Sequence, residues 1–210
     1  RRDHRLDVGC DGSGRYGEPE QLSLGPPERA PALRGVPRRL YHQNLSFLRD
    51  RRLHRVLELA GHELRLGLPG PSDGVLVWGA SPTAWRGERV ATRAGVPLVR
   101  VEDAFLRSVL PGRAGGAAPL GLQFDPVGVH FDGSRPSRLE EILSGFDLQN
   151  SNILNEASRL IDCFLEASLS KYNNFDPDLP APDPGYVLVV DQTHGDASLR
   201  ASGATEATFR

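Results

Sequence analysis

At 210 residues the chain accommodates one ordinary domain, or one domain and part of another. Its 39% hydrophobic and 25% charged residues suffice for a buried core, and a net charge of −2 excludes a general electrostatic footprint for nucleic acid. No apolar run approaches the ~20 residues that cross a bilayer, and the first residues carry no charged-then-apolar signal pattern. Cys10 and Cys163 stand far apart without metal-ligand spacing, which argues for a reducing compartment and against zinc. The basic residues are mostly Arg, the better clamp for carboxylate and phosphate.

Residues 1–37 are rich in Gly, Pro and Arg and read as a disordered lead-in. They hold a formal GxGxxG, Gly12 to Gly17, but Glu18-Pro19 and Pro26-Pro27 leave no helix start for a pyrophosphate. The spacing of Leu45, Leu48, Leu53, Val56 and Leu57 predicts a helix over 38–66, decorated by Arg38, Arg39, Arg49, Arg51, Arg52 and Arg55. This is either a solvated face or a basic surface for anionic lipid or sugar acid, with Asp50 and Glu58 diluting the charge.

After the turn cluster 69–74, Val75–Trp78 reads as a short buried strand. A helix over Ala84–Ala94 should end on Gly95, and Val96–Val101 is the next strand, delivering Glu102 and Asp103 at its end. This β–α–β rhythm predicts a parallel sheet with right-handed crossovers. Leu120–Phe124 and Val127–Phe131, around Asp125-Pro126, predict a hairpin. Ser137 and Glu140 form a capping box, opening a helix that turns Leu139, Ile142 and Leu143 inward. A further helix, 153–169, lines up Ile153, Leu154, Ala157, Leu160, Ile161, Phe164 and Leu165 on one face.

The Pro-rich stretch 171–185 is the best domain boundary, separating a Rossmann-like lobe (38–170) from a second α/β unit that begins at 186–210. Tyr186–Val190 would be that unit's first strand, running into a polar loop with Asp191, Gln192, His194, Gly195, Asp196 and Ser198. One terminal strand makes no sheet, and the chain has no Met. The expectation is therefore the front portion of a longer protein.

Glu102-Asp103 and Asp191/Asp196 thus lie at the ends of predicted parallel strands from different units. Such carboxylates serve as nucleophile or base in transfer of an activated sugar, or they merely cap the following helices, and the residues leave both readings open. Gly195 permits close backbone approach to a ligand. Ser198 is a helix cap or a phosphate donor, and His194 a structural or an anion-binding group. Arg100, Arg107 and Arg113 surround the first acidic site, to pair with its carboxylates or bind an anionic donor. Trp78-Gly79 reads as core plus turn.

Trp78-Gly79 with Pro82, Val101 to Ser108, Ser168 with Lys171-Tyr172-Asn173, and Asp191 to Ser198 together resemble the capsular polysaccharide β-Kdo transferases of the KpsC family, from about Leu40 to Arg210. The resemblance implies a GT-B-type pair of Rossmann-like lobes with the site between them. It also implies retaining transfer of Kdo from CMP-β-Kdo to a lipid-linked poly-Kdo acceptor, without cofactor or metal. On that analogy Asp196 is the nucleophile and Glu102 the base or acid. Asp103, Arg107, Ser108, Gln192, His194, Gly195 and Ser198 contact substrate, with Arg107 and His194 offsetting the charge of the sugar carboxylate.

A cytoplasmic location follows, with peripheral contact to the inner membrane and to capsule export proteins. Family members carry a basic patch after Trp-Gly where this chain has Ala80-Ser81-Pro82-Thr83, and a later His-Pro segment is missing. Transfer is therefore expected of a longer parent rather than of these residues alone. The competing reading is a non-catalytic assembly component that docks through the basic segment 38–55. A less favoured one is an unrelated flavodoxin-like or nucleotide-binding module.

Overall fold

A computed structural model describes residues 35–112, 117–145, 147, 149–176, 178–180, 182–190, 192, 195–203 and 205–208. The Gly12–Gly17 motif, Arg113, Asp191 and His194 lie outside the described residues.

Five strands form one sheet in the order β2-β1-β3-β4-β5: β1 Arg39–His42, β2 Glu63–Leu66, β3 Gly74–Trp78, β4 Leu98–Asp103 and β5 Leu122–Asp125. The first four are mutually parallel and β5 runs antiparallel to β4. From β1 the chain steps outward through α1 (Arg51–Leu59) to β2, then returns to the other side of β1 and proceeds through α2 (Ala84–Ala94) to β4. The strand order therefore reverses between β1 and β3, the topological switch of doubly wound sheets.

Alternation along the strands builds the two faces. Leu40, Leu76, Val99 and Val101 pack with Phe47 and with Leu53 and Leu57 of α1. On the opposite face Val75 and Val77 meet Ala84 and Ala91 of α2. Helices on both sides explain why β3 reads as an unbroken apolar run. As expected, α2 ends on Gly95, which takes the left-handed conformation at φ 64°.

Several expectations are corrected. Instead of one helix over 38–66 there are β1, a 3-10 turn at Leu45–Arg49, α1 and β2. The Asp50 carboxylate, which only dilutes charge in the sequence reading, accepts from the Leu53 amide at 2.9 Å and starts α1. Three of the six arginines pair with carboxylates, Arg55 with Glu58 at 3.1 Å. Arg39 pairs with the buried Asp73 at 2.8 Å, and Arg38 reaches Glu63 at 3.6 Å.

No second hairpin strand forms at 127–131. The Asp125 side chain accepts from the Val127 and Gly128 amides at 2.8 and 2.7 Å, turning the chain out of the sheet, and from Arg138 N at 2.8 Å. The capping box holds, with Glu140 accepting from Ser137 N at 2.7 Å and Ser137 Oγ at 2.9 Å. It opens α3 (Arg138–Gly145), and Asn150 caps α4 (Ser151–Glu166).

Neither of these helices buries the face expected to point inward. Leu139, Ile142 and Leu143 are exposed, as are Ile153, Leu154, Leu160, Ile161 and Leu165. Their amphipathic pattern is real, and on α4 Phe164 stacks on Phe105 with ring centroids 6.0 Å apart while the leucines and isoleucines stay exposed. Tyr186–Val190 is likewise exposed throughout and, among the described residues, joins no strand. The chain then closes on α5 (Ala197–Ala201) and a 3-10 turn at Glu206–Thr208.

Candidate active site

Glu102 and Asp103 are the last two residues of β4 rather than the first of the loop after it. Alternation sends them to opposite faces of the strand end. Beside them β3 finishes at Trp78, paired with Val101, and Gly79 N donates to Val101 O at 2.9 Å. Gly79 has φ 35°, and a Cβ placed on it would overlap the Glu102 carboxylate. Glycine is thus required here twice, for its backbone and to seat the Glu102 side chain against the chain.

That seating sets the chemistry of Glu102. Burial, first, and the neighbouring Asp103 charge raise its carboxyl from the ordinary 4.5 to about 7. The Asp103 amide and the Lys171 ammonium pull the other way, and the Asp196 carboxylate adds to the rise. Residues separated by nearly a hundred positions therefore sit within electrostatic reach of one another.

Asp103 turns to a different task. Arg107 Nε donates to its Oδ2 at 2.8 Å, while Oδ1 is buried without a hydrogen-bond donor among the described residues. Arg107 is almost wholly buried, and its Nη1 donates to Ser108 Oγ at 2.8 Å and to Ala117 O at 2.6 Å. Ser108, also buried, donates its hydroxyl to Leu110 O at 2.6 Å. These two side chains brace the loop after β4. Arg100 donates to Gly79 O at 2.6 Å and pairs with Glu88 at 2.8 Å, so it braces the β3 end instead of pairing with Glu102 or Asp103.

The segment 168–173 is clasped onto that loop. Lys171 O accepts from Arg107 N and Ser108 N at 3.1 and 3.3 Å, and Tyr172 bridges to Ser108. Asn173 N donates to Val109 O at 3.0 Å, and its side chain closes on Ser170 N and O at 2.8 and 2.9 Å. Ser168 takes φ 49° where α4 ends, a left-handed conformation uncommon for a non-glycine residue.

Gly195 (φ 74°) turns the chain into α5, which Asp196 caps. Asp196 Oδ1 accepts from Ser198 N at 2.9 Å and Ser198 Oγ at 2.8 Å. The capping reading of Asp196 is therefore true, and so is its proximity to Glu102. Ser198 serves the cap rather than forming it, and Gln192 is exposed. Lys171 carries no site role in the sequence reading, although its signal is present: it is the one lysine in the chain. Among the described residues no group of three or more His, Cys, Asp or Glu side chains is placed to hold a metal ion.

A doubly wound α/β lobe that carries acidic residues at the carboxyl end of its sheet defines the class. The family of capsule polysaccharide biosynthesis proteins matches residues 73–181, and the chain belongs to that family. It is 36% identical over 144 residues to the capsule polysaccharide modification protein LipA of Neisseria meningitidis serogroup B (strain ATCC BAA-335 / MC58), covering 66% of this chain and 20% of LipA. Against the lipopolysaccharide-processing protein LpsZ of Rhizobium meliloti it is 41% identical over 114 residues, or 52% of this chain and 26% of LpsZ.

Among solved structures, the β-Kdo 2,4 transferase of Thermosulfurimonas dismutans KpsC superposes with a TM-score of 0.67 at 30% identity. That match covers 82% of this chain and 54% of the transferase. The β-Kdo 2,7 transferase of the same KpsC gives 0.51 at 25% identity, covering 77% and 50%. The fold is thus a Rossmann-like lobe of the GT-B kind found in KpsC. This chain spans about a fifth to a quarter of LipA and LpsZ and about half of each transferase.

Proposed function

We propose that this region belongs to a retaining glycosyltransferase that moves Kdo from a CMP-activated donor to a lipid-linked sugar acceptor during capsule synthesis. One observation carries the reading: Glu102, able to hold a proton near neutrality, lies within electrostatic reach of Asp196. A carboxyl group that takes up and releases a proton near neutrality beside a second carboxyl group can act as acid–base to that group as nucleophile.

In the first half of the reaction an Asp196 oxygen bonds to the anomeric carbon as the bond from that carbon to the CMP phosphate oxygen breaks. The phosphate leaves as an anion and requires no proton. In the second half the acceptor hydroxyl gives its proton to the Glu102 carboxylate, and its oxygen displaces Asp196 from the sugar. Asp103 and Arg107 hold the loop that fixes Glu102. In the relatives this region is part of a longer chain, and we assign the complete reaction to such a whole, on the cytoplasmic side.

Peripheral contact with an anionic membrane is part of the same proposal. Leu45 and Leu48 are exposed, as are Arg49, Arg51 and Arg52 in the same turn and the start of α1, apolar and basic groups close in the chain. Asp196→Asn in the full-length protein should abolish transfer from CMP-Kdo and any covalent sugar adduct seen by intact mass spectrometry. Retained turnover in that variant would remove Asp196 from the chemistry and leave it a helix cap, whereas no transfer by the unaltered full-length protein would leave a non-catalytic assembly role.

A further inference from the structure

Kdo is a 2-ulosonic acid, so its anomeric carbon carries a carboxylate. Bringing that carboxylate beside Glu102 and Asp196 gathers three acidic groups in one place, and like charges in a partly desolvated site repel. A cation is needed, and most nearby candidates are committed. Arg107 is buried and held by Asp103, Ser108 and Ala117 O. Arg100 is held by Glu88 and Gly79 O.

Lys171 differs. Its main chain is fixed by the Arg107 and Ser108 amides, which tie it to the loop that follows Glu102-Asp103. Its side chain is exposed, and its ammonium lies 5.7 Å from the Tyr172 ring centroid. Among the described residues it forms no ion pair. Its charge nevertheless acts on Glu102. The backbone is anchored, then, while the head group is left for a ligand.

We propose that the Lys171 ammonium binds the carboxylate of the sugar-acid substrate and holds it beside Glu102 and Asp196. This deepens the function proposed above and rests on it. The lysine selects an acidic sugar over a neutral one of the same shape. The Tyr172 ring beneath it restricts the ammonium's positions, so less freedom is lost on binding.

The test is calorimetric titration of the full-length protein with Kdo and with its neutral C1 methyl ester. Wild type should prefer the acid at least tenfold, about 1.4 kcal/mol. Lys171→Gln should bring the two ligands within about threefold by weakening the acid and sparing the ester, and Lys171→Arg should restore part of the preference. Retained ester affinity and an unchanged melting temperature separate ligand binding from a folding defect. If Lys171→Gln keeps the full preference for the acid, this inference falls and the transferase reading stands. If wild type binds neither ligand and transfers no Kdo, both fall.

Discussion

Replacing Glu102 with Gln should stabilise the protein at about pH 8 and leave it nearly unchanged near pH 4.5. The folded protein holds the Glu102 proton up to about 7, whereas the unfolded chain releases it near the ordinary 4.5. Between those values the native state binds more protons, so stability falls as pH rises through the window and levels off above it. At about 1.4 kcal/mol per pH unit, the interval from 4.5 to about 7 sets a ceiling of about 3.5 kcal/mol. Glu102 is only half-buried, and solvent screening brings the expected effect to about 1–2 kcal/mol. Gln keeps the shape of the neutral acid and cannot ionise. Urea midpoints of both proteins across this pH range measure the effect, provided the m-values agree. Identical pH dependence in wild type and variant would refute the argument, because it would mean that Glu102 ionises freely in the folded protein.

Three further outcomes follow from the same geometry. Arg107→Ala leaves Asp103 half-buried without its partner and the Ala117 carbonyl without a donor, and should lower stability by about 3–5 kcal/mol in chemical denaturation. Gly79→Ala forces a left-handed residue to carry a Cβ where the Glu102 carboxyl lies. Backbone strain should remove about 1–2 kcal/mol of stability, and displacement of Glu102 should lower kcat about tenfold or more. If Glu102 is the base toward the acceptor hydroxyl, kcat/KM should fall as pH drops below about 7 and plateau above it, and Glu102→Gln should lose that limb of the profile.

The parts of the fold legible in the sequence are those whose local signals agree with the tertiary solution. Helix α2 matches its predicted limits because a strand, an amphipathic run and a terminating glycine stand in order, and β3 reads as a strand because it is buried on both faces. Strands β1 and β2 did not, since four residues carry too little periodicity to compete with the leucines of α1 between them. Only pairing to each other and to β3 makes them strands. The apolar faces of α3, α4 and Tyr186–Val190 were legible as patterns, but a pattern records that a face can be buried, not what covers it. At the site, Glu102 stood out from its position at a strand end and Asp196 from its position after an expected one. Their mutual approach, the commitment of Arg107 and Ser108 to bracing, and the place of Lys171 depend on hydrogen bonds between distant segments.

That distinction decides where experiment is most informative. Membership in the capsule polysaccharide biosynthesis family rests on residues 73–181, which include Glu102, Asp103, Arg107 and Lys171 and stop short of Gln192–Ser198. The β4 end, with Glu102 seated against Gly79, lies inside the matched region. Asp196 lies outside it, and its geometry also satisfies a plain helix cap. A cap should be replaceable by Asn at little cost, because the amide oxygen still accepts from Ser198. A nucleophile cannot be replaced this way, since the amide will not form the glycosyl ester. Asp196→Asn thus separates the two roles of one side chain: unchanged folding with lost transfer identifies the nucleophile, and unchanged folding with retained transfer reduces Asp196 to its cap.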